Sequence, residues 1–572
     1  MNTHIAHICV APRATIREAL QKLARNKPGK TQVPAGILLV AGGDKKLLGI
    51  ATDGDLRRAL VGGADLKTQI GTIMNKTPFV IEGPKSNVEI LALVVAKIKK
   101  EHWHKDRLDK IIIVDNERRI LNVVSFYDLW QTSDVRFKQV GIVGLGYVGL
   151  TLALALADCG FHVNGYDANV KVARTLRRGK PHFFEEGLDR LLHDHLEKRF
   201  HVVDDFSEGR GSDIYIIAVG TPLDPRGKPD LRFLESAAQY IGKVLKRGDL
   251  VTLRSTIPIG TTRNLVIPAL ERQSGLVAGD DFFVAFAPER TVQGKAIEEL
   301  RKLPQVIGGI NRVSADVAAT VFRFLTNSII MVDSLEEAEM VKLLNNSYRD
   351  VTFAFANEAS LIAERWGISA RRVIDAANQG YVRGNIPFPS PGVGGYCLEK
   401  DPYIFVASAE AKHYHPLLIN SARTVSDRIV KEIAASTISF LERHKKTKKN
   451  PKILLLGFAF KGRPATSDTR GSTAIALARH LQGAGYKELY GYDAVVANRD
   501  IRAHGVMPLR NIREGFKGAD AALIMNNHPS FEKLDIRTLL AGSRMPFFLL
   551  DGWGLLKREE VIKVEGVHYQ EL

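Results

Sequence analysis

The chain has 572 residues, too many for one hydrophobic core, which predicts roughly three or four domains. Its apolar fraction of 45% and charged fraction of 25% are ordinary for a globular protein, and no stretch approaches the roughly 20 apolar residues of a membrane span. The net charge of +17 would suit nucleic acid, but the sequence has neither zinc-finger spacing nor a basic stripe interleaved with aromatic residues. We therefore expect no nucleic-acid partner and no membrane association, and the charge suits a phosphorylated small molecule.

The three cysteines, Cys9, Cys159 and Cys397, are too few for a disulfide framework and suit a reducing compartment. The first residues, MNTHIAHICVAPRA, lack the long apolar core of a signal peptide. We therefore expect a cytoplasmic protein without a bound metal. Cys9 and Cys159 have no unusual surroundings, and we interpret both as structural residues.

Residues 1–134 contain an internal repeat. Each copy, at residues 37–56 and 111–129, has the pattern of a strand, a charged turn, a second strand and a helix. In both copies a hydroxyl side chain lies three residues before an aspartate. These residues are Thr52 and Asp55 in the first copy, and Ser125 and Asp128 in the second.

The repeat resembles a tandem pair of cystathionine-β-synthase (CBS) domains. In that family, the hydroxyl and carboxylate at these positions can hold the ribose and phosphate of an adenine nucleotide. The resemblance implies such a nucleotide at the four residues, and a dimerising module without a ligand is the equal alternative. Because the repeat shares a chain with the region that follows, we hypothesise that nucleotide binding shifts the activity of that region.

From Lys138 onwards, the pattern changes to strands that alternate with helices, which predicts a parallel sheet. A long helical stretch then begins at the capping-box residues Ser334 and Glu337, and Gly367 ends it. Such a helix is roughly 50 Å long, so we expect it to link two domains or to form a dimer seam. A basic linker at residues 444–449 precedes a second strand–turn–helix series that runs to the C-terminus.

The first of these strands runs into a glycine-rich turn and then an apolar helix. Glycines permit a tight turn and let the backbone approach a pyrophosphate, which rests on the helix N-terminus. Asp167 closes the next strand, 18 residues past Gly149, where its carboxylate can accept a ribose hydroxyl but would repel a 2′-phosphate. We therefore predict that NAD, rather than NADP, is bound by Gly144, Gly146, Tyr147, Val148, Gly149 and Asp167.

A series of short motifs follows in one order along the chain: residues 144–150, 219–222, 255–258, 287–290, 342–346, 394–397, 400–401 and 457–461. With these motifs, nearly all of residues 138–572 resembles the UDP-glucose/GDP-mannose dehydrogenase family. That family oxidises the C6 alcohol of a nucleotide sugar to a carboxylate and consumes two NAD⁺. The resemblance implies the same reaction here.

Cys397 is the residue on which this chemistry would depend. Removal of the first hydride gives an aldehyde, which has no second hydride on an oxygenated tetrahedral carbon. Attack by a thiolate creates a thiohemiacetal that can give up a hydride, and water hydrolyses the resulting thioester. A drop of about two units in the thiol pKa, about 2.7 kcal/mol, would make most of the thiol ionised. Lys400 and Lys342 are candidate sources of the positive charge.

The resemblance also implies roles for other residues. Lys342 and Asn346 are four residues apart and share one helix face, where Lys342 would polarise the substrate oxygen and Asn346 would hydrogen-bond the sugar or an oxyanion. Asp401 would be the base that activates water. Glu289 and Thr221 would order that water and the substrate.

Further residues match positions around the two ligands. Thr256, together with Thr221 and Lys400, is expected near the cofactor. Lys461 and Arg470 match positions around the nucleotide sugar, and cations are natural partners of a diphosphate.

The segments that contain Arg383 and Gly395 look like the family branch that acts on UDP-N-acetylhexosamines, so both residues are expected to contact the substrate. Lys400 looks more like the UDP-glucose and GDP-mannose branches, and Tyr396 replaces the usual His or Ser. We predict a UDP-N-acetylhexosamine as substrate, with a UDP-hexose or GDP-mannose as the alternative. The expected product is a uronic acid for polysaccharide biosynthesis.

Two interpretations from other classes stay open. A two-electron dehydrogenase, related to the 6-phosphogluconate and β-hydroxyacid enzymes, would share the Rossmann unit and the helical Lys-x-x-x-Asn but would need no thiol. A non-catalytic nucleotide sensor would keep the CBS pair and a decayed dehydrogenase. Intact Lys342, Asn346, Cys397 and Asp401 oppose the sensor, and the number of NADH per sugar separates the two dehydrogenases.

We predict an α/β fold with two Rossmann-like doubly wound parallel-sheet domains, joined by a long central helix and preceded by an α/β CBS domain pair. The predicted domains are a tandem CBS pair at 1–134, an NAD-binding domain at 137–333, a helical dimerisation domain with the cysteine segment at 334–442, and a UDP-sugar-binding domain at 451–572. The central helix predicts a homodimer or a higher homo-oligomer.

Overall fold

The computed structural model describes residues 3–25, 36–83, 90, 110–125, 135–206, 211–444 and 450–572. Asp128 and most of the predicted basic linker, residues 445–449, lie outside the described residues, as does the predicted helix of the second repeat. Every helix within the described ranges is either too short or not apolar enough to span a lipid bilayer.

The N-terminal repeat forms two three-stranded sheets of the same topology, in which the middle strand is parallel to the first strand and antiparallel to the third. The strands are Cys9–Val10, Ile37–Ala41 and Leu47–Thr52 in the first sheet, and Val80–Glu82, Lys110–Val114 and Ile120–Ser125 in the second. In both sheets, the register shifts before the last residue of the middle strand. The helices among the described residues of this region are Thr3–Ala6, Ile16–Arg25, Asp53–Val61 and Ile70–Ile73. The repeat read from the sequence is thus a structural repeat.

An eight-stranded sheet follows, with the order Ile329–Val332, Gln305–Gly309, Phe283–Phe286, Leu250–Leu253, Ile214–Ile217, Gln139–Val143, His162–Tyr166 and Phe200–Val202. Its central strands are short apolar runs buried throughout, as expected for strands covered on both faces. The first six strands in chain order are parallel and have the spatial order 3-2-1-4-5-6 of a dinucleotide-binding fold.

The last two strands in chain order, Gln305–Gly309 and Ile329–Val332, are parallel to each other but antiparallel to the rest of this sheet. The parallel sheet that the sequence predicted is confirmed for the first six strands, and these two edge strands add an antiparallel pairing that it did not predict. The alternation of strands and helices in the sequence predicts local conformation, but it does not determine whether two neighbouring strands run parallel or antiparallel. Around the sheet lie the helices Val135–Phe137, Tyr147–Asp158, Val170–Arg177, Leu188–His195, Arg232–Val244, Thr262–Val266, Ile267–Ser274, Ala296–Lys302 and Arg312–Phe322.

The central region is helical, with Leu335–Arg365, Ala370–Asn378, Tyr396–Glu410 and Leu417–Arg443. The hydroxyl of Ser334 accepts a hydrogen bond from the Glu337 amide at 3.1 Å, and Gly367 follows the helix end with a φ of 67°. The predicted start and end of this helix are confirmed, but the capping box is incomplete, because the Glu337 carboxylate accepts from the Asp333 amide rather than from that of Ser334. The 31-residue helix Leu335–Arg365, hereafter the central helix, is about 46 Å long and packs against the two helices that begin at Tyr396 and Leu417.

The C-terminal region contains a six-stranded, wholly parallel sheet with the order Met507–Pro508, Leu489–Tyr492, Ile453–Leu456, Ala521–Ile524, Phe547–Asp551 and Val567–Glu571. Its strands repeat the order 3-2-1-4-5-6, which confirms the second Rossmann-like unit. Its helices are Thr473–Gly483, Asn498–Arg502, Ile512–Phe516, Pro529–Glu532, Ile536–Leu540 and Arg558–Val561.

Candidate active site

A cavity of about 180 Å³ lies at the carboxyl ends of Gln139–Val143 and Ile214–Ile217, where the strand order of the eight-stranded sheet reverses. Ligands of such sheets bind at this position. Three regions build the wall: loops of the first Rossmann-like unit, the central helices, and Arg470 of the C-terminal unit. The predicted site residues on the wall are Gly146, Tyr147, Val148, Thr221, Thr256, Glu289, Lys342, Cys397, Lys400 and Arg470.

The glycine-rich turn has the geometry that a dinucleotide needs. Gly144 has a φ of 93°, and a Cβ on Gly149 would lie 1.8 Å from the carbonyl oxygen of Gly144. Gly146 caps the helix Tyr147–Asp158 and has open space where a Cβ would be, so a pyrophosphate can approach its backbone. These residues fit a bound NAD.

Asp167 lies at the end of the strand His162–Tyr166, beside this turn. Its carboxylate accepts hydrogen bonds from the Leu145 and Asn169 amides, each at 2.8 Å. Because a carboxylate has about four acceptor sites, lone pairs remain for a ribose hydroxyl. The side chain therefore lies beside the glycine-rich turn with acceptor sites to spare, and its contact with NAD stays a prediction.

Cys397 is the second residue of the helix Tyr396–Glu410, directly at the cavity. The N-cap Gly395 has a φ of 97°, and a Cβ there would lie 2.6 Å from the Phe460 ring. The Phe460 ring therefore requires a glycine before the helix. Gly395 thus shapes the backbone on which the thiol is carried.

The expected ionisation of Cys397 is wrong for the free enzyme. Burial raises the pKa of the Cys397 thiol, Asp401 raises it further, and Lys342, Lys400 and Arg470 lower it. Burial outweighs the cations because an ionised sulfur loses its hydration in the protein interior. The sequence correctly predicted cations near the thiol, but it could not predict how deeply the Cys397 thiol is buried.

Lys400, Asp401, Asn346 and Thr221 form one buried hydrogen-bond network. Lys400 Nζ donates to Asp401 Oδ1 at 2.8 Å and to Thr221 Oγ1 at 3.3 Å, and Asn346 Nδ2 donates to Asp401 Oδ2 at 2.6 Å. Burial lowers the pKa of Lys400, but the Asp401 carboxylate outweighs this effect and the net pKa is raised. Asn346 and the fully buried Asp401 lie one layer behind the cavity wall, and Lys400 connects them to it.

Glu289 is held by a cation that the sequence reasoning missed. Arg254 Nε and Nη2 donate to Glu289 Oε2 at 3.0 and 2.5 Å, and the Thr291 amide donates to Glu289 Oε1 at 2.8 Å. Burial raises the pKa of Glu289, but Arg254, the Thr291 amide and Lys342 outweigh it and hold the pKa below its usual value. Glu289 is therefore an ionised hydrogen-bond acceptor on the cavity wall.

Lys461 connects the two Rossmann-like units. Its Nζ donates to the carbonyl of Gln293 at 2.6 Å. Burial lowers the pKa of Lys461 to about 8, against the opposing charge of Glu185. Glu185 itself is buried on the cavity wall and accepts from the Gly294 and Ala296 amides, each at 2.7 Å.

Arg470 also crosses between the units. Its guanidinium pairs with Asp468 and lies 4.4 Å from the centroid of the Tyr396 ring and 5.2 Å from that of Tyr147. Lys400 Nζ is 5.2 Å from the same Tyr396 ring. Two cations thus lie close to the ring of Tyr396, the residue directly before Cys397.

Pro402 leaves an orphan carbonyl in the helix that carries Cys397. Proline has no amide hydrogen, so Leu398 O has no partner four residues on. Arg423 Nη1 donates to that oxygen at 3.3 Å and to Asp350 Oδ1 at 2.7 Å. Arg423 thus connects the central helix to the residue next to Cys397.

Some predicted site residues lie elsewhere. Arg383 is solvent-exposed with its guanidinium 5.1 Å from the Tyr381 ring, away from the cavity wall of this chain. Thr52 and Asp55 bind each other in a capping box: the Asp55 amide donates to Thr52 Oγ1 at 3.2 Å, and the Thr52 amide donates to Asp55 Oδ2 at 2.9 Å. Ser125 ends a strand, and its side chain and Asp128 lie outside what the structure describes.

The residues missed from the sequence are Arg254, Glu185, Gln293 and Arg423. Arg254 carried a usable signal, because it directly follows the apolar run 250–253 and strand ends of such sheets carry ligand-binding residues. Glu185 and Arg423 have no comparable local pattern. Their partners lie more than one hundred and more than seventy residues away, respectively.

The fold and the cavity together define an NAD-dependent dehydrogenase with a cysteine at its dinucleotide site. Models of the UDP-glucose/GDP-mannose dehydrogenase family match the chain with the NAD binding domain at 138–326, the central domain at 336–428 and the UDP binding domain at 454–558. A CBS domain model matches residues 1–62.

The UDP-N-acetyl-D-mannosamine dehydrogenase of Pyrococcus horikoshii is 34% identical to the chain over 424 residues, 74% of this chain and 97% of the relative. The NDP-N-acetyl-D-galactosaminuronic acid dehydrogenase of Ralstonia nicotianae is 33% identical, over 70% of this chain and 93% of the relative. The solved structure of the P. horikoshii UDP-D-ManNAc dehydrogenase has a TM-score of 0.68 at 32% identity and covers 76% of this chain and 98% of that chain. The chain therefore belongs to the UDP-glucose/GDP-mannose dehydrogenase family and is an NAD-dependent nucleotide-sugar dehydrogenase.

Proposed function

We propose that the protein oxidises the C6 alcohol of a UDP-N-acetylhexosamine to the carboxylate, with Cys397 bonded to the carbon between the two oxidations. The observation that carries the proposal is a thiol on the wall of the dinucleotide cavity, beside Lys342 and Lys400. Bound NAD⁺ accepts one hydride in each oxidation.

Lys342 acts in the first oxidation. As the hydroxyl proton leaves to solvent, the ammonium of Lys342 stabilises the negative charge on the substrate oxygen. The buried position of Lys342 on the cavity wall strengthens this interaction because little water screens it.

Cys397 then adds to the aldehyde. Its sulfur bonds to the aldehyde carbon, the carbonyl electron pair moves to the oxygen, and the thiol proton ends on that oxygen. A neutral thiol therefore supplies all the atoms of the thiohemiacetal, which agrees with the raised pKa of Cys397. Lys342, the first among the cations that lower this pKa, stabilises the charge during the transfer.

Hydrolysis completes the reaction. The second hydride leaves the thiohemiacetal carbon as its hydroxyl proton goes to solvent, which gives a thioester. Water then forms a C–O bond to that carbon as the C–S bond breaks; one water proton returns to sulfur and one is released. Asp401 is the proposed base, reached through Lys400, which is 2.8 Å from Asp401 and lines the cavity.

The choice of sugar rests on the segments around Arg383 and Gly395 and on the relatives. Relatives of 33–34% identity are named for UDP-N-acetyl-D-mannosamine and NDP-N-acetyl-D-galactosaminuronic acid. Lys461 and Arg470 provide cations for the diphosphate. A UDP-hexose or GDP-mannose is the alternative substrate, and a uronic acid for polysaccharide synthesis is the proposed product.

NADH release from a panel of UDP- and GDP-sugars tests the proposal. We expect two NADH per uronate, and a loss of uronate production on the order of 10³-fold or more in Cys397→Ala. Cys159→Ala is the control, because that half-buried thiol donates to Phe324 O away from the cavity. One NADH per sugar, or normal uronate production without the Cys397 thiol, would instead support the two-electron reaction.

We also propose that the central helix pairs with a second copy of the chain. Met340, Leu344, Tyr348, Phe355 and Ile362 follow one another at intervals of four or seven residues, and all are exposed. This spacing places them in a stripe along one helix face, and exposed apolar stripes of this kind mark interfaces.

Light scattering on two matched variants tests the dimer. Ile362 is 57% exposed within the stripe, and Ile562 is 56% exposed in the C-terminal unit. We expect Ile362→Glu to dissociate the oligomer and Ile562→Glu to leave it intact. A wild-type monomer would contradict the proposal.

The CBS module is proposed as a regulatory site for an adenine nucleotide. Its fusion to the dehydrogenase supports the idea, whereas the Thr52–Asp55 capping box gives those side chains a structural role without a ligand. The test measures rate and substrate affinity with AMP, ADP and ATP. If none of the three changes either quantity, the dimerising alternative stands.

A further inference from the structure

Glu289 has one acceptor site left for a ligand. A carboxylate offers about four acceptor positions. Arg254 occupies two on Oε2, and the Thr291 amide occupies one on Oε1. The remaining lone pair is therefore on Oε1, and the side chain is on the cavity wall.

Arg254 is itself fixed from several sides. Its Nη1 donates to Ala287 O at 3.2 Å and to Gln305 Oε1 at 2.9 Å, and its guanidinium lies 5.3 Å from the centroid of the Phe322 ring. Gln305 Nε2 donates in turn to the carbonyls of Pro288 and Val306. The guanidinium is thus held in one orientation and fixes Oε2, while the Thr291 amide fixes Oε1, so the two partners together orient the carboxylate.

We infer that Arg254 is a positioning residue for the hydrolytic half of the reaction, because it fixes the Glu289 carboxylate so that Oε1 accepts a hydrogen bond from the attacking water. This inference rests on the proposed thioester at Cys397. Arg254 does not touch the reacting atoms in this role. Its effect passes entirely through Glu289.

Only some of the charged groups near Glu289 act on its carboxylate, and Arg254 is one of them. Among the described residues, Arg254 and Lys342 are the cations that lower the pKa of Glu289. Arg290 instead donates to Pro304 O, and Glu299 accepts from the Val292 amide. Without Arg254, a carboxylate in this buried place would keep only Lys342 and its backbone partner, so its pKa would rise.

This leads to a distinctive kinetic result. Arg254→Met would slow thioester hydrolysis at neutral pH, on the order of 10²-fold. Because Glu289 would then be protonated, hydrolysis would recover as pH rises. The two oxidations would change much less, since they do not use the water. A general packing defect would slow all steps at every pH.

The experiment uses the full-length enzyme with its sugar nucleotide and NAD⁺. Rapid quenching and intact-mass analysis measure the thioester at Cys397, while absorbance measures the NADH burst. In Arg254→Met, we expect a burst of two NADH per site, accumulated thioester and an acid limb in the hydrolysis rate. Arg254→Lys, which keeps a cation, should recover part of the rate and remove most of that limb.

Three further variants complete the test. Glu289→Gln should be equally slow in hydrolysis but independent of pH, and adding Arg254→Met to it should cause little further loss. Arg247→Met is the matched control, because Arg247 precedes the same strand Leu250–Leu253 and pairs with Asp281 away from the cavity. Its hydrolysis rate should equal that of the wild type.

The outcomes separate the role of Arg254 from the proposed function. Equal loss of oxidation and hydrolysis at all pH values in Arg254→Met would overturn the inference, as would a double variant far slower than Glu289→Gln. A wild-type enzyme that releases one NADH and forms no thioester would overturn the proposed function instead. If Arg254→Met does not fold, the contrast between Arg254→Lys and Glu289→Gln in pH dependence decides.

Discussion

Arg423 donates to Asp350 at 2.7 Å across the interface between the central helix and Leu417–Arg443, and both side chains are buried. The same guanidinium reaches Leu398 O, the carbonyl that Pro402 leaves without a helical partner. One residue thereby holds two helices and the backbone next to Cys397.

We predict that Arg423→Met destabilises the protein by about 3–5 kcal/mol, because it leaves the Asp350 carboxylate buried without a partner. Thermal unfolding measures the loss. The double variant with Asp350→Leu should recover most of the unfolding midpoint, since both members of the buried ion pair are then absent. It should nevertheless keep a reduced kcat, because Leu398 O still lacks its donor. A double variant with full activity would show that this contact is unnecessary for Cys397.

Lys461 should make substrate capture depend on pH. With a pKa lowered to about 8 by burial, Lys461 is charged below pH 8 and loses its charge above it. Since kcat/KM reports free-enzyme pKa values, kcat/KM for the sugar nucleotide should fall as pH rises through about 8. Lys461→Arg, which stays charged, should move this fall to higher pH. An unchanged alkaline limb in Lys461→Arg would assign the titration to another group.

The glycines of the dinucleotide turn should differ in their response to alanine. A Cβ on Gly149 would overlap the Gly144 carbonyl, so Gly149→Ala should lower the thermal midpoint and abolish NAD binding. A Cβ on Gly146 meets open space, so Gly146→Ala should keep the wild-type midpoint and raise KM for NAD⁺ only. Equal thermal stability of the two variants would contradict the close approach of Gly149 to Gly144.

Asp167 should determine the preference for NAD over NADP. Asp167→Ser removes the charge that repels a 2′-phosphate and the carboxylate that accepts the Leu145 amide. The variant also loses the expected hydrogen bond between the ribose hydroxyl of NAD⁺ and the carboxylate. A hydrogen bond to a charged group contributes about 1.5–3 kcal/mol, so KM for NAD⁺ should rise about tenfold or more. KM for NADP⁺ should fall in the same variant. Steady-state kinetics with both cofactors measures the ratio, and an unchanged ratio would place the discrimination elsewhere.

Sequence reasoning worked where the signal was local. The glycine turn of residues 144–149, the start of the central helix at Ser334 and its end at Gly367 are each encoded within a few neighbouring residues. The ordered motifs also identified the family and the NAD cofactor, because the order of motifs along the chain can be read without knowing how the chain packs.

Tertiary structure decided what depends on distant residues and on exclusion of water. Glu289 and Arg254 are 35 residues apart, Asp350 and Arg423 are 73 apart, and neither pair follows from spacing. The pKa of Cys397 is raised, although the sequence led us to expect a lowered value. Burial of the thiol, which the sequence does not specify, outweighs the nearby cations. The sequence by itself thus determined the local turns, the helix ends and the family, whereas packing alone set the charge states and partners of the residues in the cavity.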